Sequence, residues 1–588
     1  MEHRKDPSQT QLFDMWEQAL GPVAYRKIRN DWPGVFREVI LQLMPVEKVA
    51  EHFDPVMGRP TKELYSIAGL LLIAEFKGWT AQEAALAYMC HKEVQYALNL
   101  EPTSQSLCGR TVERYQKIFI EEEIAAEVMM RVTCGIVKEL DLDVSRQRTD
   151  STHVYSDMAV FGRTRLMGVT IKRFLTQLKR HNPEDYGALP EDLKDRYRVS
   201  EGRLFGDVAP DRDARGALRQ TVAEEMHLLV ERFGDERSMQ GRRTYQDMLQ
   251  VFTEQCEVVD QEVAVTEHPG GDVMQNPSDP EATRDGHKGP GYQAQVSETC
   301  SPKNEVQIVT CALPQTAVVA DGPSLPAVLD GLEAHDLLPD IMWADTSYGS
   351  DDNVQDAAES GVDLQSPVSG KKKDKDPYDL SVDDFVVDEQ TQQVERCPAG
   401  VEPEESARDE ETGVSTTRMP AQTCGQCEFY EECPVELSRG RGVLKHTGKG
   451  RRLAARRREQ DTEAFREAYR IRSGGESLFS GAKGKLGLDR LRVRGSPAVS
   501  YKIWMKFAGW NVLRAAASEE LRENLDEKRN QRIHSGRTMA FGPDSAIPMT
   551  ASAWSIWHFQ RHHRKDRARK RSPRIRSHCG PLSPKAAA

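Results

Sequence analysis

A β-hairpin pattern followed by a helix and an acid-terminated strand constrains the fold of this chain most. Apolar and polar residues alternate over 292–297 and again over 305–310, on either side of a turn at 301–304. Alternation with a period of two predicts paired strands with one buried face. Apolar residues then recur at helical spacing over 325–332, and a short apolar run from Ile341 ends on Asp345. This order of strand, strand, helix and strand predicts an α/β core.

Helical patterns dominate the sequence before this core. A strongly apolar helix is predicted over Leu64–Phe76, and Thr80-x-x-Glu83 fits a capping box that opens the next helix after Gly78. Two short helices joined by such a turn resemble a helix-turn-helix, and DNA recognition and ordinary packing both remain open for them. A longer helix is predicted over Thr111–Leu140, and residues 157–260 are predicted to form a charged helical insertion.

The net charge of −12 argues against a nucleic-acid partner, but the distribution of charge along the chain favours one. Arg439–Arg458 holds nine Lys and Arg residues and no acid, and Arg561–Arg576 holds nine with one acid. These runs are either solvated segments or patches that neutralise DNA phosphates. The sequence has no apolar run of about 18 residues, so no membrane span is expected. The polar N-terminus does not have the pattern of a signal peptide, and we expect a cytoplasmic, nucleoid-associated protein.

A polar stripe near the C-terminus has the most specific spacing, Tyr469-x2-Arg472-x3-Glu476-x6-Lys483. Offsets of 3, 7 and 14 residues lie close to whole turns of an α-helix, which places the four side chains on one face. The simple alternative is a solvated face with incidental pairing between Arg472 and Glu476. Glycines at 474, 475, 481 and 484 weaken a continuous helix, so the helix is either broken or held by packing. They would also let a DNA backbone approach closely.

This stripe resembles the C-terminal signature of a large group of DDE-class transposases from bacterial insertion sequences. The group carries two further acids, and Asp150 in TDSTHV and Asp345 in MWADTSYG match them in order. The segments 279–295 and 481–514 also resemble the group, and the resemblance covers roughly residues 45–515. Thr346-Ser347 stands between Asp345 and Tyr348, where relatives often have Gly or Ala, which leaves the geometry of that loop open.

The resemblance implies a ribonuclease-H-like catalytic core in which Asp150, Asp345 and Glu476 are the catalytic carboxylates. These three would bind Mg²⁺ or Mn²⁺, because hard cations prefer carboxylate oxygens and two such ions can clamp the attacking and leaving oxygens of a phosphodiester. Tyr469, Arg472 and Lys483 would contact DNA phosphates near the cleaved end. The implied partners are double-stranded DNA, namely the terminal inverted repeats of the element and its target, and a second copy of the chain as a homodimer on DNA.

A cysteine cluster between the second Asp and the Glu forms a separate candidate metal site. Cys424-x2-Cys427-x5-Cys433, with Cys397 upstream, fits a tetrahedral structural zinc site. The gap of 26 residues after Cys397 and the unpaired Cys433 depart from a double CxxC motif, so unligated buried thiols are the alternative.

These features predict an α/β protein with the following parts: a helical DNA-binding domain over 1–140, a catalytic core over 141–350 and 461–516, a cysteine-containing, β-rich insertion with the basic run over 351–460, and a basic, partly disordered tail over 517–588. Two other functions stay open. One is a catalytically silent DNA-binding transposase remnant, which would not need the acidic triad. The other is a ribonuclease-H-like nuclease, which would keep the triad but not the stripe.

Overall fold

The computed structural model describes residues 2–5, 15–102, 105–206, 211–370, 380–438 and 440–539. The second predicted basic run, 561–576, lies outside these residues. The chain divides into two compact units, Met1–Asp526 and Glu527–Ala588. Within the described residues, no helix is both long and apolar enough to cross a membrane.

Helices make up the N-terminal segment, as its sequence predicts. They are α1 (Met15–Leu20), α2 (Pro22–Arg29), α3 (Trp32–Val35), α4 (Val46–Ala50), α5 (Leu64–Lys77), α6 (Ala81–Cys90), α7 (Lys92–Ala97), α8 (Gly109–Glu121) and α9 (Ile124–Glu139). The apolar helix α5 and the capping box of Thr80 and Glu83 at the start of α6 are confirmed. The single helix over Thr111–Leu140 is wrong. Glu123 adopts a left-handed backbone (φ 50°) that separates α8 from α9.

A helical layer follows the first strand of the central sheet. Strand β1 (Arg146–Val154) is followed by α10 (Arg163–His181), α11 (Pro183–Gly187), α12 (Glu191–Arg196), α13 (Arg212–Phe233), α14 (Arg237–Gln240) and α15 (Arg243–Gln255), and then by the small hairpin β2 (Cys256–Val259) and β3 (Glu262–Val265). These helices enclose a hydrophobic cluster of their own, in which the Phe174 ring lies against the Phe233 and Tyr245 rings.

The central sheet is mixed. Its remaining strands are β4 (Thr283–Asp285), β5 (Gly289–Thr299), β6 (Val309–Thr316), β7 (Ile341–Trp343) and β8 (Asp363–Gln365), with α16 (Leu325–Glu333) and α17 (Asp351–Glu359) between them. Strand β5 pairs antiparallel with β1 on one side and with β6 and β4 on the other, while β7 pairs parallel with both β1 and β8. The predicted helix and acid-terminated strand are confirmed as α16 and β7. The predicted hairpin is present as β5 and β6, but its second strand begins at Val309 rather than at 305, and β5 is buried on both faces rather than on one.

The cysteine-containing segment folds around a second, smaller sheet. It contains β9 (Val386–Val387), β10 (Val394–Arg396), β11 (Glu405–Arg408), β12 (Val414–Met419), α18 (Ala421–Cys424), β13 (Glu436–Ser438) and β14 (Arg441–Thr447). Strands β11, β12, β14 and β13 pair in that order, all antiparallel, and β9 pairs with β10. The basic run then forms α19 (Gly448–Gln460).

The C-terminal helices close the core. They are α20 (Glu463–Tyr469), α21 (Gly474–Leu486), α22 (Ser496–Ala517) and α23 (Glu519–Met539). Buried side chains of α5, α9 and α22 share one hydrophobic cluster with β5 and β6. The N-terminal helices thus pack directly on the sheet, and α5, which is buried on nearly all sides, serves packing.

The segment before the hairpin anchors the start of α22. The carboxylate of Asp279 accepts hydrogen bonds from the Tyr292 hydroxyl and the Gly495 N–H, and that of Glu281 accepts from the Ser496 N–H. These bonds join the start of the sheet to the closing helix. They give the acids at 279 and 281 a structural role.

Candidate active site

Asp150 lies in the middle of β1, where this strand has neighbours on both sides. Its Oδ1 accepts a hydrogen bond from the Ser151 N–H at 2.9 Å. Burial raises the pKa of Asp150 to about 6; Arg472 and the Ser151 N–H act to lower it, and the charges of Asp345 and Asp321 raise it. A carboxyl group in this environment is stabilised by any cation that reaches it.

Asp345 follows the last residues of β7 and caps the next turn. Its Oδ1 accepts from the Ser347 N–H at 2.8 Å, while its main-chain carbonyl accepts from the Ser366 hydroxyl. Gly349 closes the same loop, where a Cβ would stand 1.8 Å from the Pro367 carbonyl oxygen. Only glycine fits that approach, so the path of the loop beyond Asp345 is fixed by the segment that follows β8.

Arg472 brings the two aspartates together. Its Nη2 lies 2.7 Å from Asp150 Oδ2 and 3.9 Å from Asp345 Oδ2. The three side chains are between 21% and 30% exposed, so the pairs are partly shielded from solvent. Asp150 and Asp345 therefore share the guanidinium of Arg472, which belongs to the polar stripe predicted from the sequence.

The stripe does not form one continuous α-helix. Tyr469 ends α20, residues Arg470–Ser473 form a 3₁₀ turn, and Glu476 lies in the first turn of α21. The Tyr469 hydroxyl donates to the Ala344 carbonyl oxygen at 2.9 Å, one residue before Asp345. In the protein alone, Tyr469 contacts the segment after β7 and Arg472 contacts β1, and the prediction that they bind phosphates stays a prediction.

A buried ion pair fixes the 3₁₀ turn against the sheet. Arg148 on β1 pairs with Glu298 on β5 and donates from Nη1 to the Ile471 carbonyl oxygen at 2.9 Å. Gly474 leaves the space for this guanidinium, because a Cβ there would lie 1.9 Å from Arg148 Nη1. This glycine accommodates an arginine of the protein itself, which explains it without an approaching DNA backbone.

Glu476 and Lys483 complete the predicted set on α21, which packs against β1. Glu476 is exposed, and Lys483 is half-buried near His153. Burial, together with the charges of Lys288 and Lys483, lowers the pKa of His153. Among the described residues, no group of three or more His, Cys, Asp or Glu side chains is already arranged to hold a metal ion. The carboxylates of Asp150, Asp345 and Glu476 are therefore not a preformed cage.

Asp321 is a further acid at the site that the sequence pattern did not indicate. The Gln295 amide donates to Asp321 Oδ1 at 2.9 Å, and the buried Tyr348 hydroxyl donates to Gln295 Oε1. Burial, followed by the charges of Asp321, Asp150 and Asp345, raises the pKa of Tyr348. Asp321 lies in no motif, so the sequence does not mark it, and its hydrogen bond with Gln295 on β5 places it at the site.

The cysteines predicted to bind zinc come together around one small apolar pocket. All four lie on its lining, namely Cys397, Cys424, Cys427 and Cys433. Burial, together with the neighbouring thiols, raises the pKa of Cys424 and of Cys433. Each of the four is a free thiol, and they too form no preformed metal-binding group within the described residues.

The basic run on α19 is largely occupied within the protein. Arg452 pairs with the buried Asp351, and Lys449 pairs with Asp352. Arg456 donates to two carbonyl oxygens, Gly349 at 3.2 Å and Ser366 at 2.9 Å. The remaining pairs join Arg451 to Glu389 and Arg458 to Asp383 and Asp384. Protein partners therefore take up several of these charges, and the alternative of a phosphate-binding patch stays a prediction.

Residues 396–516 match a family model described as a transposase DDE domain. The match supports a DDE transposase. It spans 121 of the 588 residues and includes the cysteine pocket and the whole stripe, whereas Asp150 and Asp345 lie before it. The mixed sheet, with two acids on neighbouring strands, is consistent with a ribonuclease-H-like fold. No curated protein and no solved structure matches the chain.

Proposed function

We propose that this chain cuts DNA at the ends of an insertion sequence and joins the cut ends to a target. The observation that carries the proposal is the meeting of Asp150 and Asp345 around Arg472, beside the helix that bears Glu476. Asp150 and Asp345 come from distant parts of the chain, and the buried ion pair of Arg148 supports the turn that carries Arg472. Such convergence at a partly exposed position is typical of a catalytic site.

The donor set at this site fits a hard divalent cation, because Asp150, Asp345 and Glu476 offer carboxylate oxygens and no soft ligand. Burial raises the pKa of Asp150 to about 6 although Arg472 lies beside it, so a metal cation bound there would stabilise the charged carboxylate further. When bound, Mg²⁺ or Mn²⁺ would supply charge stabilisation to the attacking and leaving oxygens. The Ser151 N–H and the Ser347 N–H donate to the carboxylates of Asp150 and Asp345, and Ser366 holds the main chain of Asp345, so the protein orients both carboxylates.

The cationic residues of the stripe would act on the phosphate. Arg472 already lies against both aspartates, so its guanidinium is placed where negative charge collects. Arg472 and Lys483 would neutralise phosphates flanking the cleaved bond, with Tyr469 holding the loop at Ala344. Because both ends of a mobile segment must be held together, two protomers would act as a homodimer on double-stranded DNA.

The cysteine pocket would hold a structural Zn²⁺. Its thiols form the donor set that zinc prefers, and they already line one pocket whose burial disfavours free thiolates. We expect about one zinc ion per chain by elemental analysis of protein purified without chelator. Cys424→Ser with Cys427→Ser should lose it, whereas the exposed Cys90→Ser should keep it. A zinc-free parent protein would leave the pocket as buried thiols.

Strand cleavage tests the main proposal. Wild type and Asp345→Ala are incubated with Mg²⁺ or Mn²⁺ and duplexes carrying the DNA ends that flank the gene. We expect the wild type to nick at the end and to join the product to target DNA, and the variant to bind without cutting. Binding without cutting by both would favour a silent DNA-binding remnant. Cutting without end preference or joining would favour a ribonuclease-H-like nuclease.

A further inference from the structure

A short extended segment after α21 lies beside the end of β1. We name it the arginine strand, residues 489–494. The Tyr155 N–H donates to the Asp489 carbonyl oxygen at 2.9 Å, and the Leu491 N–H donates to the Tyr155 carbonyl oxygen at 2.8 Å. The Asp157 N–H donates to the Val493 carbonyl oxygen at 2.9 Å. These bonds hold the segment in a fixed register.

The arginine strand alternates between buried and exposed side chains. Leu491 is buried and Val493 is half-buried, while Arg490, Arg492 and Arg494 are exposed. Residues two apart on a strand point to the same side, about 6.6 Å apart. Arg494 is held by Asp157, with Nη2 to Oδ2 at 3.2 Å. Arg490 and Arg492 form no hydrogen bond or ion pair with any other residue that the structure describes.

The two free arginines line a cleft between the arginine strand and helices α5, α6 and α8. The acids that face this cleft are largely engaged. Glu75 pairs with Lys502, Glu83 is bonded to the Thr80 N–H and hydroxyl, and Glu113 accepts from the Gln82 amide. Lys506, also on the cleft, donates to main-chain oxygens. Arg492 also interacts electrostatically with Glu83. Arg490 and Arg492 are thus the two cationic side chains of this cleft that form no hydrogen bond or ion pair with another described residue.

The arginine strand lies at a defined distance from the candidate active site. From Asp150 to Tyr155 along β1 is five residues, or about 16 Å. From Glu476 to Leu486 along α21 is ten residues, or about 15 Å. Both β1 and α21 thus lead from the candidate active site to the arginine strand, and Lys483 lies on α21 between Glu476 and that strand. At about 3.4 Å per base pair, the separation corresponds to four or five base pairs.

We propose that Arg490 and Arg492 bind the DNA backbone four to five base pairs from the cleaved bond. This inference rests on the proposed function, and it adds the part of the protein that holds the duplex away from the reacting phosphate. The partner is the phosphate backbone of duplex DNA, because two exposed guanidinium groups at a fixed spacing on an extended segment match the repeating negative charge of that backbone. Contact of this kind positions the duplex without selecting its sequence.

The test measures binding in the Asp345→Ala background, so that cutting does not interfere. Affinity for terminal duplexes is measured against salt for the parent, for Arg490→Ala with Arg492→Ala, and for Arg490→Lys with Arg492→Lys. The alanine pair should lower the slope of log affinity against log salt by about 1.8, from about 0.9 per phosphate, and the lysine pair should retain it. Two duplex series are shortened from either side of the cleavage site. On one side of the cleavage site, the difference in slope between the parent and the alanine pair should vanish once fewer than about four base pairs remain.

A matched control removes the same charge elsewhere. Arg396 and Arg408 are exposed arginines on β10 and β11, and their double alanine variant should keep the parent slope. An unchanged slope for Arg490→Ala with Arg492→Ala would overturn the inference, as would an equal loss in the control or a difference that ignores duplex length. Failure of the wild type to cut would defeat the proposed function alone, since the slopes do not depend on cutting.

Discussion

At the scale of single residues, the chemistry of the site depends on partners that are distant in sequence. Arg472 could be named from its spacing, but its contacts with Asp150 and Asp345 depend on β1, β7 and the 3₁₀ turn meeting at one point. The same holds for Asp321, which no motif marks and which Gln295 brings to the site. Spacing identifies residues on one element, whereas burial and long-range pairing decide what they touch.

The buried pair of Arg148 and Glu298 should matter for stability. Glu298→Ala leaves a guanidinium that is only 14% exposed without its counter-charge, which is expected to cost about 3–5 kcal/mol in the free energy of unfolding. Urea denaturation of both proteins measures the loss. The control is Glu405→Ala, whose pair with Arg418 is exposed on both sides and should contribute at most about 1 kcal/mol. Equal losses in the two variants would contradict this account.

Asp143 should make stability depend on pH. Hydrogen bonds with Ser145, then with Ser301 and Lys303, hold the pKa of Asp143 below its usual range despite burial. A carboxyl whose folded pKa is depressed adds stability above its unfolded pKa of about 3.9, and loses it as pH falls through the folded value. Asp143→Asn should therefore be less stable than wild type at pH 7, with the gap narrowing below about pH 4. Denaturation midpoints across this range test it, and a gap that stays constant with pH would contradict it.

At the scale of elements, hydrophobic patterns predicted which helices and strands exist better than they predicted where those elements end and what they contact. The hairpin, α16, β7 and α5 followed from alternation, helical spacing and apolar runs, although β5 is buried on both faces and α5 on nearly all sides. The break between α8 and α9 was missed because Glu123 adopts a left-handed backbone with no glycine to mark it. The partners of the basic run could not be predicted, because the carboxylates that pair with α19 lie in other segments and the sequence gives no sign of that pairing.

Helix α19 connects the cysteine-containing insertion to the loop that follows Asp345. Arg451 and Arg458 contact the insertion, while Arg456 holds Gly349 and Ser366. Ser366 in turn donates to the Asp345 carbonyl oxygen. Arg456 is thus one hydrogen bond removed from the main chain of a proposed catalytic acid.

Arg456→Ala should reduce cleavage while leaving DNA binding intact. Because displacement of a reacting group by about 1 Å can cost about 100-fold in rate, we expect kcat to fall about 10- to 100-fold with little change in KM. Arg456→Lys should not rescue the rate, since an ammonium group lacks the planar fork that reaches both carbonyls. The neighbouring Arg457→Ala is the control and should cleave as wild type does. A rise in KM alone would show that Arg456 binds DNA instead.

At the scale of the whole molecule, the two largest of the four hydrophobic clusters found among the described residues organise much of the larger unit. One joins the N-terminal helices, the sheet strands β5 and β6, and the closing helix α22. The other lies within α10–α15 and their hairpin. The sequence indicated a helical insertion after β1, but whether it shared the main core depended on which faces were buried.

Because the two clusters are separate, we expect a core substitution in one of them to reduce protection from amide hydrogen exchange in that cluster alone. Phe174 and Phe507 are both fully buried, and replacing either with Ala should cost about 3–5 kcal/mol. Because Phe174 packs within the helical layer, Phe174→Ala should speed amide hydrogen exchange in α10–α15 and leave β1, β5 and α22 protected. Phe507→Ala should instead speed exchange in α5, α9, α22 and the sheet together, since these elements share its cluster. Uniform acceleration across the unit by both variants would mean that the layer and the sheet open as one body. In that case the helical insertion could not move independently when DNA is held at the candidate site.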